Sequence, residues 1–233
     1  GLRSLLSFVI TVLMIWKVLV PFCLNGGNPV LIGLAVITVL TVVIISLVYG
    51  YDRRFIAATL GVMLGVITTC ILGIVFTKLF KIHGAVMSNS ESLLYSGYEY
   101  LNLTSIFMAS IFIGASGAIM DIAVDITSAI CEVVEKKPDI GWKEAAMSGI
   151  HVGRAAMGTM STTLLLAYSG GYLALLMVFM AQGTPIYNIL NYKDVASEIL
   201  HTIVGSFGLV AVAPFTALMG GLLLVHDKGK EHE

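Results

Sequence analysis

Residues 110–132 read SIFIGASGAIMDIAVDITSAICE, and the winding of this stretch decides the fold. As a helix it sets Ser110, Gly114, Gly117, Asp121, Asp125, Ser128 and Glu132 at spacings of 4, 3, 4, 4, 3 and 4. At about 3.6 residues per turn those positions share one narrow face. Ile111, Phe112, Ile113, Ile119, Ile122 and Ile126 occupy the other faces, which suit lipid or a packed bundle. The stretch is a hydrophobic helix with one small, acidic stripe. A carboxylate at the centre of a bilayer costs about 2.5–3.5 kcal/mol on insertion scales, so a membrane helix carrying two must hide them. The expectation is that the stripe turns inward and meets positive partners there.

The rest of the chain supports a membrane setting. Of its 233 residues 58% are hydrophobic and 12% charged, with a mean hydropathy of +0.95. Soluble domains carry about 25% charged residues. Apolar runs close to the roughly 20 residues needed to cross a bilayer recur along the sequence. The runs do not alternate polar and apolar positions, which excludes a β-barrel. The reading is an all-α polytopic transmembrane bundle forming one domain over 1–233, with six spans at about 4–24, 29–49, 55–77, 103–125, 156–180 and 199–225. Residues 5–22 are too long a run, with no small-residue cleavage pattern after them, to be a cleaved signal.

The basic residues orient the spans. With the N-terminus cytoplasmic, inside segments hold Arg3, Arg53, Arg54, Lys136, Lys137, Lys143, Arg154, Lys228 and Lys230, and outside segments hold Lys78, Lys81 and Lys193. Nine against three, with Lys17 left inside the first span, predicts both termini cytoplasmic. Lys17 is close enough to the end of its span to snorkel to the interface. Asn102-Leu-Thr104 matches a glycosylation sequon at the edge of span four. After Lys137-Pro138, residues 139–149 read as an amphipathic surface helix with Asp139 as its cap. In span six, Gly205, Gly208, Pro214, Gly220 and Gly221 predict close packing and a bend at Pro214. The three scattered cysteines, Cys23, Cys70 and Cys131, read as apolar packing.

Asp121 and Asp125 are one turn apart near the cytoplasmic end of span four. Two carboxylates in low dielectric raise each other's pKa and can share a proton or a cation. The alternative is a structural ion pair with Arg154 or His151 of span five. His151, Arg154, Gly158 and Thr162 form a second polar stripe at spacings of 3, 4 and 4. Arg154 keeps its charge, so once buried it needs a carboxylate or an anionic ligand. Gly149 and Gly153 beside that stripe, like Gly114 and Gly117 on span four, read as helix-packing positions. Glu198 and His201 have metal-pair spacing, but no third ligand lies near them in sequence, so no metal site is expected. No H-E-x-x-H, G-x-S-x-G, G-x-x-x-x-G-K-[ST] or G-x-G-x-x-G motif occurs. The chain is expected to be no enzyme, to carry no cofactor and to bind no nucleic acid.

Three blocks resemble the YibE/F family of bacterial integral membrane proteins. The first is Gly114-Ala-Ser-Gly-Ala-Ile-Met-Asp-Ile-Ala123, continuing through Ser128-Ala129. The second is Ser148-Gly-Ile-His-Val-Gly-Arg154 with Met157-Gly-Thr-Met-Ser-Thr-Thr-Leu-Leu-Leu-Ala-Tyr168. The third is Val204-Gly-Ser-Phe-Gly208 with Ala213-Pro-Phe-Thr-Ala217. The chain is similar to the shorter members, which lack a large extracytoplasmic region. Asp125 stands where the family pattern leads one to expect a small or hydroxyl residue, which leaves Asp121 the stronger candidate, and His201 stands where the pattern suggests arginine. The resemblance implies a multi-pass protein of the bacterial inner membrane, acting as a homo-oligomer or beside a sibling YibE/F subunit in the lipid bilayer. It supplies no substrate. The functional expectation is a permease or permease subunit for a small ion or solute, with spans four to six enclosing a polar interior. Asp121 would carry the charge, Asp125 would modulate it, and Arg154, with His151 and Thr162, would supply counter-charge and polar lining. A non-transporting scaffold or receptor subunit is the competing class.

Overall fold

The computed structural model describes residues 2–225, and Lys228 and Lys230, used above for orientation, lie outside them. Every long element is a helix. They are α1 (Leu2–Leu24), α2 (Pro29–Tyr49), α3 (Arg53–Leu79), α4 (Leu103–Lys136), α5 (Trp142–Gly171), α6 (Leu173–Ala181) and α7 (Lys193–Val225). Among the described residues there is no strand. Five of these helices, α1 to α4 and α7, are by themselves long and apolar enough to span a membrane. The sixth candidate is the pair α5 and α6, which bends by 63° where they meet. Gly170-Gly171, two poor helix formers in succession, sit at that bend.

Local chemistry explains most of the boundaries. In α1 the turn Ile15–Leu19 is a π-helix, and the Val20 N–H reaches Ile15 O, five residues back. Pro21 follows directly; its ring cannot fit against a carbonyl four residues earlier, and a wider turn relieves the clash. Lys17 lies in that wide turn, exposed, with Nζ 5.6 Å from the centre of the Trp16 ring. Asn28 caps α2 by accepting from Val30 N at 3.0 Å, with Pro29 at the first helical position. Asp52 caps α3 through Arg53 N at 2.7 Å. Asn102, the sequon residue, caps α4 by accepting from Ser105 N at 3.0 Å.

Several boundary expectations are corrected. Asp139 is not a cap, and 139–149 is not a separate surface helix. The helix starts at Trp142 after Gly141 and runs unbroken to Gly171. Nothing between Gly149 and Ala156 breaks it, and Gly149 and Gly153 are held against α4: a Cβ on either would lie 2.6 Å from Ile130 Cδ1 or 2.8 Å from Ile126 Cδ1. The acidic helix likewise continues past 125 to Lys136, where exposed Glu132 and Lys136 pair at 2.6 Å. The final helix begins at Lys193 and passes through Pro214 as one element.

The centre of the bundle is α4, packed against α2, α3, α5 and α7. Its Ile111, Phe112, Ile119, Ile122, Ile126 and Ile130 are fully buried. They meet small residues on the neighbours: Gly33 of α2 faces Phe112, Gly65 of α3 faces Ile119, and Gly220 of α7 faces Ile130. Close backbone approach through small residues is how helices associate in lipid, where dispersion replaces the hydrophobic drive. The same contacts give directions. Ile130 opposite Gly149, Ile126 opposite Gly153 and Gly114 opposite Tyr168 set α5 antiparallel to α4. Gly205 beside Ala115 and Gly220 beside Ile130 set α7 parallel to α4.

Tyr49, the last residue of α2, ties that helix to α4. Its Oη lies 2.6 Å from Ser128 Oγ and donates to Val124 O at 2.7 Å. Tyr49→Phe is expected to lower stability by about 1 kcal/mol, the usual net value of a hydrogen bond. A drop in melting temperature of the detergent-solubilised protein measures it, and an unchanged temperature refutes the tie.

Candidate functional site

The stripe of α4 faces out. Gly114, Gly117, Asp121, Asp125, Ser128 and Glu132 are all exposed, while the isoleucines on the opposite side are buried. The expected polar interior is therefore corrected: among the described residues no charged side chain is buried, and the interior polar groups are threonines and serines. The reason is the width of the faces. The isoleucine and phenylalanine face is broad enough to meet α3, α5 and α7, and the narrow stripe falls in the gap between α2 and α5. Ser128, on the α2 side of that gap, is held by Tyr49. Gly114, further along, lies under α5, where a Cβ would come within 2.6 Å of Tyr168 Oη.

The polar stripe of α5 borders the same gap. His151, Arg154, Gly158 and Thr162 are exposed. Thr162 Oγ1 donates back to Gly158 O at 3.2 Å, so its hydroxyl is satisfied within its own helix. The contact of Ile126 with Gly153 puts Asp125 and Arg154, each one residue away, at nearly one level along the bundle. Yet no ion pair joins them: among the described residues neither Asp121 nor Asp125 has a basic side chain within 4.0 Å, and Arg154 has no carboxylate within that distance. The charges that were expected to lock spans four and five together stand side by side, unpaired, on an outer surface.

Of the packing glycines, Gly114, Gly149, Gly153, Gly205 and Gly208 each meet a neighbouring helix. Two residues expected to pack do not. A Cβ on Gly117 would touch nothing within 4 Å, and Pro214 is exposed. Gly158 is as open as Gly117. One surface hollow, at Glu91, Tyr95 and Glu99, lies before the start of α4, and another, at Arg3, Ser7 and Leu47, lies between α1 and the end of α2.

The structure also assembles a half-buried polar cluster at the far end of α4, away from Asp125. His201 Nε2 lies 3.2 Å from Ser110 O, and its ring centre is 4.6 Å from that of Tyr168. Glu198, one turn earlier on α7, faces Tyr168 and Tyr172. Tyr168 Oη has no hydrogen-bond partner. No third metal ligand joins Glu198 and His201; among the described residues no group of three or more His, Cys, Asp or Glu side chains converges. The Glu198–His201 spacing marked half of this cluster in the sequence. The tyrosines had no periodic signal, because α5 brings them in from the opposite direction.

The sequence model for YibE/F-like proteins matches residues 1–226, nearly the whole chain. The chain belongs to the YibE/F-like protein family. No curated protein and no solved structure matches it. The family match reaches from α1 to the end of α7, beyond the three blocks of α4, α5 and α7 that carried the resemblance in sequence. In this YibE/F-like protein Asp121 and Asp125 of α4 and His151, Arg154 and Thr162 of α5 are exposed.

Proposed function

We propose that this YibE/F-like protein is a permease subunit, not an enzyme, that moves a small cation or a proton along the α4–α5 face. Its setting would be a bacterial inner membrane, with both termini cytoplasmic. One observation carries the reading: two carboxylates one turn apart lie on an open face of an otherwise apolar bundle, with nothing basic bound to them. The depth supports it. Pro29–Tyr49 is 21 residues, about 30 Å of helix, which is the thickness of a bilayer core. Tyr49 at its end is level with Val124 and Ser128, so Asp121 falls inside that span by about 5–10 Å. A carboxylate at that depth is a functional candidate by default, since lipid cannot solvate it. Asp121 is the carrier of charge, and Asp125 nearer the boundary modulates it. Arg154 at the same mouth balances the charge of the pair.

The test is flux in proteoliposomes against a panel of H⁺, Na⁺, K⁺ and Mg²⁺. Asp121→Asn is expected to cut flux of the transported ion about tenfold or more, since a neutral amide holds a cation at least about 1.4 kcal/mol less tightly than a carboxylate. Unchanged flux in a folded Asp121→Asn protein overturns the role. The second reading, a non-transporting scaffold, is favoured by the apolar interior, which gives one chain no conduit of its own. Flat flux for every ion in the panel selects it.

A further inference from the structure

We propose that the open face is the two-fold interface of a homodimer, in which Asp125 of each copy pairs with Arg154 of the other. A two-fold axis along the membrane normal leaves every residue at its own depth, so only groups already level in one chain can meet across it. Asp125 and Arg154 satisfy that condition, because Ile126 and Gly153, their neighbours in sequence, touch. They are also the right signs on one surface: Asp121 and Asp125 of α4 beside Arg154 of α5, none of the three in an ion pair among the described residues. Rotation by half a turn lays each stripe on the opposite one and makes the contact twice. Two deeper positions add to the fit. Gly117 of α4, level with Thr162 of α5, and Gly158 of α5, level with Asp121 of α4, both have open space where a Cβ would be, as small residues at a membrane helix crossing require. The exposed Thr159 and Thr163 hydroxyls donate to Ala156 O and Thr159 O of their own helix, so they ask nothing of a partner.

The charge pattern argues for a second copy over lipid or an unlike subunit. Lipid leaves Asp121 and Asp125 without partners. An unlike subunit would need a surface of its own that matches both stripes, whereas this chain already carries both halves. In the dimer the carboxylates are covered, and Asp121 lines the seam one turn deeper than the ion pairs. The inference deepens the permease reading and rests on it for one point only, that the conduit runs along this seam.

The experiment uses two full-length chains with different tags, one Gly117→Cys and the other Thr162→Cys, which the Ile126–Gly153 contact places at one level, co-expressed and oxidised in native membranes. A mixed-tag disulfide dimer is expected. Wild-type chains, with their own three cysteines, give the background. Arg154→Asp or Asp125→Arg added to both chains should cut the mixed dimer about tenfold or more, since like charges then face each other. The double variant Asp125→Arg with Arg154→Asp should restore it, because both pairs re-form within one gene product. Absence of the mixed dimer, or a double variant no better than the singles in protein that still elutes folded, overturns the proposal. The two ideas fail separately. Monomers that carry normal flux refute the dimer alone, and cross-linked dimers without flux refute the permease alone.

Discussion

Gly208→Leu is expected to destroy the bundle, lowering stability by at least about 3 kcal/mol, at the upper end of what overpacking costs. A Cβ on Gly208 would clash with Thr69 Oγ1 and lie 3.2 Å from Ile119 Cδ1. Thr69 has no easy retreat. It is fully buried, its hydroxyl donates to Gly65 O at 2.8 Å, and a Cβ on Gly65 would itself lie 2.9 Å from Val212 Cβ. Any side chain at 208 must therefore push α7 away from α3 along their shared length. Gly117→Leu is the control: the same substitution, in the same kind of helix, where nothing lies within 4 Å. Melting of the two proteins as detergent-solubilised monomers, in which the proposed interface is not formed, should differ by many degrees, with Gly117→Leu close to wild type. Equal melting temperatures would refute the packing of α3 on α7.

The contrast between those glycines marks what the sequence could and could not convey. Apolar length and Lys/Arg-rich breaks were enough for the all-helical spanning architecture, because lipid demands about 20 apolar residues whatever lies next to them. Glycine spacing identified positions of close approach for Gly149, Gly153, Gly205 and Gly208, since a bare backbone is needed wherever two helices touch. The same spacing misplaced Gly117. A glycine on a stripe signals that something comes near, without saying whether that something belongs to the same chain. The acidic stripe suffered from the same ambiguity. The cost of a carboxylate in lipid requires that it be covered, and the sequence of one chain leads naturally to an interior. The broad face of Ile119, Ile122 and Ile126 wins the interior because it can touch three helices at once, which a one-residue-wide stripe cannot. The continuous run of α5 through 142–171 was hidden by its charged start, where Lys143 and Glu144 resemble a surface helix until Gly149 is seen against Ile130. Tyr168 and His201 meet only through tertiary packing, and no periodicity connects residues on two helices.

Adjacent residues of α4 should respond in opposite ways to a swap of character. Ile122 is fully buried, and Asp121 beside it is exposed. Ile122→Asp puts a carboxylate among Val, Ile and Ala side chains with no basic group at hand, since no charged residue is buried among the described residues. An unpaired buried charge costs about 3–5 kcal/mol or forces the group to take up a proton. The expected result is loss of folded protein at neutral pH, read as aggregation on size exclusion and loss of protease resistance. Asp121→Leu removes a carboxylate from an outer face and leaves every packed contact of α4 in place. It should fold as well as wild type, or melt slightly higher, while losing flux in proteoliposomes. Had the stripe faced inward, the two results would trade places: Asp121→Leu would strip a buried partner from its network, and Ile122→Asp would merely decorate a surface. The pair of variants thus reads out which side of the fourth helix holds the bundle together, and a damaged Asp121→Leu beside an intact Ile122→Asp would overturn the inside-out arrangement on which the proposed interface depends.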